Sequence, residues 1–250
     1  RIEKLGSLVA SGNHEFHGKQ FRWLKADRDI TSEPATNELL LGNDGSGSCN
    51  IIRRFITSSS DKYPRELIQK ELLCALNRIF SEDGHFTEIQ VQQHDDGDLK
   101  EPTKAPWEVY LGEDHKNLVP LSNSGSGLKT VILVLLNLLI APHIEEKEKS
   151  SFVFAFEELE NNLHPALLKR LFKYLEHYAV ENNSFVFLTT HSSTALDLFG
   201  TSPNAQIISV THNGKSAQAR TISAHFDQLS VIAELGAKPS DLLQSNGIIW

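Results

Sequence analysis

Methionine is absent from the chain, and cysteine occurs only at Cys49 and Cys74. Two isolated cysteines make neither a disulfide framework nor a metal-binding spacing, which leads us to expect a reducing, cytoplasmic setting. With Arg1 at its start and no methionine, the chain reads either as a piece of a longer protein or as one whose methionines were left out of the sequence. The closing Ile248-Ile249-Trp250 reads as the beginning of a strand. A secretory leader is not visible. The longest largely apolar run, Val131–Ala141, falls well short of the roughly 20 residues of a membrane span, so no membrane association is expected. Positive charge is in deficit: 24 Lys and Arg against 32 Asp and Glu give a net charge of −8. The chain as a whole is therefore not a basic nucleic-acid grip, although a local patch is compatible with that balance. Apolar residues make up 40%, enough for a core and too many for general disorder.

A phosphate-binding lysine is missing as well. Gly42-Asn-Asp-Gly-Ser-Gly47 has GxxxxG spacing, but Ser48 and Cys49 stand where Lys and Ser/Thr are needed. Without the lysine, no charge reaches the β- and γ-phosphates, so this stretch is not a Walker A loop. It reads as a flexible loop leading into a helix over 51–56. His14-Glu-Phe-His17 lacks the i,i+4 histidines of a zinc helix and reads as surface.

What is present centres on 152–165, Phe-Val-Phe-Ala-Phe-Glu-Glu-Leu-Glu-Asn-Asn-Leu-His-Pro. Phe152–Phe156 is apolar without alternation, which predicts a central strand buried on both faces. It runs straight into Glu157 and Glu158. Burial raises a carboxylate pKa, and each acid disfavours ionisation of its neighbour. A divalent cation removes that penalty. In a Walker B strand the first acid, Glu157, would hold Mg²⁺ and the second, Glu158, would orient and deprotonate the attacking water. Solvated acids at a sheet edge are the competing reading of this stretch alone.

The next residues favour the first reading. Pro165 suits a helix N1 position. Leu168, Leu171, Leu175 and Tyr178 mark one helical face, with Lys169, Arg170 and Lys173 off it. A second short strand, Phe185–Leu188, is expected to be buried and to end in a polar tip, Thr189-Thr-His191-Ser-Ser. A right-handed crossover puts both strand ends on one edge of a parallel sheet, where open α/β sheets bind ligands. His191 is thus expected near Glu158, able to hold a γ-phosphate and the attacking water.

Upstream, Tyr63–Phe80 predicts an amphipathic helix with Leu67, Leu72, Leu73, Leu76 and Ile79 as its stripe. Period-two segments Glu88–Gln93 and Trp107–Leu111, joined by a polar loop over 95–106 and followed by Leu118–Leu121, suggest an antiparallel sheet. Ser124-Gly125-Ser126-Gly127 precedes a nearly all-apolar, buried helix over Leu128–Leu139. Such a loop is often only a helix cap, but it is also a nest of backbone N–H groups suited to phosphate. His143–Ser150 reads as a charged surface loop. Gln206–Thr211 and Gln218–Thr221 form a strand pair turning at Asn213-Gly214, and 223–236 reads as helical.

Phe152–Pro165 and Leu188–Ser193 together resemble the Walker B and switch-histidine motifs of ABC-type ATPases, most closely the OLD (overcoming lysogenization defect) family, with RecF-like and SMC-like relatives. Leu159 stands where relatives commonly carry Pro. Ala26-Asp-Arg-Asp-Ile30 resembles a segment that OLD-type ATPases carry after an insertion arm, and 241–250 resembles the approach to their Toprim nuclease domain. The resemblance implies an α/β, ABC-type P-loop NTPase core: a parallel sheet flanked by helices, plus a small antiparallel part, with the Walker A segment outside this chain. Residues 1–118 would be the middle of the ATPase domain. Residues 119–250 would be its C-terminal core, ending before a Toprim domain. It implies ATP and Mg²⁺ as cofactors, Glu158 and His191 as catalytic residues, and Glu157 on the metal. Ser124, Gly125, Ser126 and Gly127 would form a signature loop that binds the γ-phosphate on the opposite subunit of a homodimer or higher homo-oligomer. The family's activity is an ATP-regulated DNA nuclease, often in anti-phage defence. A repair ATPase without nuclease activity, or a non-hydrolysing scaffold, are the alternatives.

Overall fold

The computed structural model describes residues 16–93, 105–114, 117–212 and 214–222. The expectations for His14, most of the loop over 95–106, Asn213, 223–236 and 241–250 fall outside the described residues. In chain order the elements are β1 (Gln20–Leu24), α1 (Ser48–Thr57), α2 (Leu73–Phe80, preceded by a π-helical turn at Leu67–Leu72), β2 (Phe86–Gln93), β3 (Trp107–Glu113) and β4 (Val119–Pro120). Then come α3 (Ser126–Leu135, continued by a π-helical stretch at Leu136–Ile140), α4 (Ala141–Ile144), β5 (Phe152–Glu157), α5 (Pro165–Asn182), β6 (Phe185–Thr189), α6 (Ser193–Phe199), β7 (Ile207–His212) and β8 (Ala217–Ile222). The chain forms two compact units, Arg1–Thr189 and Thr190–Trp250.

In the first unit, a parallel sheet of order β1-β5-β6 is flanked by helices. Its register pairs Phe154 with Arg22 on one side and Val186 on the other. Every residue of Phe152–Phe156 is buried, at 3% exposure or less. The unbroken apolar run is thus the central strand, covered on both faces, as its lack of alternation requires. Phe152, Phe154 and Phe156 stack along one face, and Tyr178 of α5 meets Phe154 edge-on.

β6 departs from expectation. Its side chains alternate, leaving Phe185 37% and Phe187 45% exposed. It is the edge of this sheet among the described residues, and Phe16 packs edge-on against both rings.

The helix over Ser126–Ile144 runs through the core. Residues Val131–Ile140 are all buried. It is long and apolar enough to cross a membrane, but 78% of that window is buried inside the protein, the setting of a core helix. Its π-helical stretch has a visible use. Leu138 offers its carbonyl to the Tyr178 hydroxyl at 2.5 Å, and Asn137 accepts from Arg22 Nε and Nη2 at 3.2 and 3.0 Å. A π-bulge frees backbone and side-chain groups for such cross-links.

The antiparallel sheet β2-β3-β4 forms as the period-two patterns predict. The helix expected over Tyr63–Phe80 starts later, as the π-helical turn at Leu67. There Gln69 reaches across to the backbone of Ile89 in β2 as a surrogate strand partner. α1 begins at Ser48 rather than near 51. In the second unit, α6 is capped by Ser192, whose hydroxyl accepts from Thr194 N, and β7 pairs with β8 in an antiparallel hairpin.

Candidate functional site

The strand β5 carries its apolar burial to Phe156 and then releases two acids at its C-terminal end. Glu157 is still in the strand, paired with Thr189 of β6. Glu158 is not: its backbone turns into the left-handed region at φ 43°, ψ 55°. That conformation costs a non-glycine residue roughly 1 kcal/mol or more. Strain of this kind persists only where the surroundings over-determine it. Here they do. Glu158 N–H donates to Thr189 O at 2.8 Å, and its carbonyl accepts from Asn161 N–H at 3.2 Å. Asn161 Nδ2 donates to its carboxylate at 2.8 Å. A short 3₁₀ turn, Leu159–Asn162, follows. Pro165 then opens α5 at the expected position, with His164 Nδ1 accepting from Ala166 N–H.

The segment Ala26–Ile30 wraps this strand tip. Ala26 N–H donates to Glu157 Oε2 at 3.2 Å. The Arg28 guanidinium donates to the carbonyls of Lys25, Glu157 and Glu158 at 2.5, 2.7 and 3.1 Å, and to Thr130 Oγ1 of α3 at 3.2 Å. Burial pulls the Arg28 pKa below its ordinary value, against the attraction of Glu160, Glu157 and Glu158. Beside it, Lys129 Nζ of α3 donates to Asp29 Oδ1 at 2.7 Å. The sequence gives no chemical reason for this segment; the fold makes it the link between α3 and the acids.

The Gly/Ser loop lies at the other end of that link. Gly125 occupies the N-cap of α3, no side chain caps the helix, and a Cβ added there would meet nothing within 4 Å. Ser124 is held by its own turn, with Oγ donating to Pro120 O at 3.1 Å. Ser126 is exposed. Gly127 instead packs against the turn after the acids. The loop and the acid-bearing turn are thus neighbours within one unit, an adjacency that their separation in sequence does not reveal.

The loop at Gly42–Gly47 is built quite differently. Asp44 Oδ1 accepts from Ser46 N–H and Oγ–H at 3.0 and 2.7 Å, closing the turn on itself. At the start of α1 the N–H groups of Gly47 and Asn50 are already satisfied by Glu33. Oε1 accepts from Gly47 N–H at 2.5 Å, and Oε2 accepts from Asn50 N–H at 3.1 Å. A carboxylate thus sits where a P-loop would hold phosphate, a physical reason to add to the missing lysine. Gly47 itself has φ 81°, and a Cβ on it would come 1.9 Å from Leu40 O, so only glycine fits.

His191 stands two residues after β6, in the second unit, and is exposed. Among the described residues, no group of three or more His, Cys, Asp or Glu side chains could hold a metal by itself.

Residues 25–196 match the family model described as AAA ATPase domain. The chain belongs to this family. The match runs from the Arg28 segment through the Gly/Ser loop and the acid pair to α6. Among solved structures, this ATPase domain is similar to the Smc head domain with coiled coil and joint from Pyrococcus yayanosii. The two share 16% identity over 69% of this chain and 29% of that one, at a TM-score of 0.48. It is similar to a structure titled for ATP-driven dimerization and DNA stimulated activation of SMC ATPases, with 15% identity, 69% and 93% coverage and a TM-score of 0.47. It is also similar to the SMC head domain from Thermotoga maritima, with 11% identity, 69% and 51% coverage and a TM-score of 0.41. The ATPase domain therefore spans 29% of the length of the first of these chains. No curated protein matches the sequence.

Proposed function

We propose that this ATPase domain binds and hydrolyses ATP as the regulatory half of an OLD-family DNA nuclease, acting in the cytoplasm in defence against phage. The observation that carries the reading is the tip of β5. Two consecutive carboxylates leave a strand buried on both faces, and the second is held in a strained turn beside the end of β6. Residues 152–165 and 188–193 carry the resemblance to the OLD family.

In this reading Glu157 holds Mg²⁺ and Glu158 takes a proton from the attacking water. Mg²⁺ keeps several waters and uses few protein ligands, so Glu157 together with the nucleotide phosphates would be enough to hold it. Such an ion neutralises charge on the transferred phosphoryl group. Ala26 N–H orients the Glu157 side chain. His191, two residues beyond the strand whose Thr189 carbonyl holds Glu158, steadies the γ-phosphate and the water. Ser124–Gly127 binds the nucleotide of a second copy, which makes a homodimer the smallest active unit. The Walker A loop, the nuclease residues and the DNA contacts lie elsewhere in the full-length protein.

The test is a pair of assays on the full-length protein: Mg²⁺-dependent ATP hydrolysis, and cleavage of supercoiled DNA with and without ATP. Hydrolysis together with cleavage supports the proposal. Hydrolysis without cleavage moves the protein to the RecF-like and SMC-like repair ATPases. Nucleotide binding with no hydrolysis leaves the scaffold reading.

A further inference from the structure

We infer that Arg28 is a positioning residue for ATP hydrolysis: it holds the backbone of the acid pair and ties it to α3, so that the Gly/Ser loop and the acids move as one body. For its kinetic consequence the inference rests on the function proposed above; for its mechanical consequence it rests on the geometry alone.

Arg28 touches neither acid's carboxylate. It donates to the carbonyl oxygens of Glu157 and Glu158, and so fixes the two peptide groups that decide where those side chains start. The Glu158 carbonyl is one of the anchors of the left-handed turn, and Arg28 Nη2 holds it from outside the turn, as the Thr189 carbonyl holds the Glu158 N–H. The same guanidinium reaches Thr130 Oγ1, one helical turn after the Gly/Ser loop. The neighbouring ion pair of Asp29 with Lys129 makes a second tie from this segment to α3. A planar fork with five donors can span a hydroxyl and two carbonyls at once; an ammonium on a flexible stem cannot.

The test uses the full-length protein with Arg28→Lys and, separately, Arg28→Ala. Arg28→Lys should lower kcat about tenfold to a hundredfold, as misplacement of a reacting group by about an ångström does. KM should change less than about threefold, because ground-state binding is untouched. The thermal midpoint should stay close to that of wild type. In hydrogen exchange, the amides of 158–161 and of the first turn of α3 should exchange about tenfold faster, with α5 unchanged. If wild type hydrolyses ATP and Arg28→Lys matches its kcat, the inference is overturned. If wild type does not hydrolyse ATP, the ATPase reading falls and exchange decides. Unchanged protection at 158–161 in Arg28→Ala, or in Arg28→Lys should the alanine variant fail to fold, then overturns the inference, and increased exchange there alone supports it.

Discussion

Gly127 rests on the carbonyl of Asn162: a Cβ added to the glycine would lie 2.6 Å from that oxygen. The Gly/Ser loop and the turn that follows the acids therefore meet backbone to backbone, with no space for a methyl group. Gly127→Ala should force α3 and the Leu159–Asn162 turn apart and destabilise the protein by about 1–3 kcal/mol, as overpacking does. Gly125→Ala, facing open space, should cost less than about 1 kcal/mol, the scale of an altered helix cap. Urea denaturation of both variants checks the contrast; equal losses would show that the loop, not the contact, sets the cost.

Glu158→Gln separates chemistry from shape. The amide keeps the side chain's size and can still meet Asn161, but it cannot take a proton from water. ATP binding should persist while hydrolysis falls about 10²- to 10⁴-fold. Glu157→Gln should instead weaken the dependence on Mg²⁺. Steady-state rates across a Mg²⁺ titration, with a binding measurement for each variant, distinguish the two.

The proposed homodimer can be tested by mixing. Aspartate at Gly125 is a favoured helix cap and has space, so Gly125→Asp should fold while placing negative charge in the loop. Alone, it and Glu158→Gln should each be inactive. A mixed dimer can gather both defects into one composite site and leave the other intact, so part of the hydrolysis should return. If subunit exchange is demonstrated and no activity returns, the loop does not act across the dimer.

Removing the Glu33 carboxylate should expose its role as the cap of α1. Glu33→Ala leaves the N–H groups of Gly47 and Asn50 without their acceptor, and should cost about 1–3 kcal/mol. Hydrogen exchange should rise first in the N-terminal turn of α1.

Cys49 and Cys74 should differ sharply towards alkylating reagents. Burial, reinforced by the charge of Glu33, pushes the Cys49 thiol from its ordinary 9.0 up to about 12, and the group donates to Trp107 O at 3.0 Å. Cys74 is exposed. At pH 8, mass spectrometry should find Cys74 labelled and Cys49 protected until the protein unfolds. Because the folded pKa is the higher one, this thiol's contribution to stability is complete below about pH 9. It declines as pH rises towards 12, where the unfolded chain sheds its proton first.

Much of this architecture is legible in the residues themselves. Phe152–Phe156 lacks alternation, so it must be covered on both faces, and it is. Leu168, Leu171, Leu175 and Tyr178 repeat at helical spacing behind Pro165, and all four are buried. The period-two runs of β2 and β3 pair as expected. The limits are equally specific. Phe185–Leu188 is wholly apolar, yet β6 alternates, with Phe185 and Phe187 facing outward. An unbroken apolar run carries no period and cannot say which face a neighbour covers.

The sequence by itself determined the strand that bears Glu157 and Glu158, the helix that follows it, and the failure of Gly42–Cys49 as a phosphate loop. These depend on local period, on proline geometry, and on the presence or absence of one lysine. Only the tertiary structure decided that Glu33 fills the N-terminus of α1, that Gly127 must be glycine against Asn162, and that Arg28 clamps the acid pair. Arg28 finds Glu158 at a separation of 130 residues, and no local pattern records a contact made across the fold: which carbonyl a guanidinium meets depends on how the sheet and α3 pack.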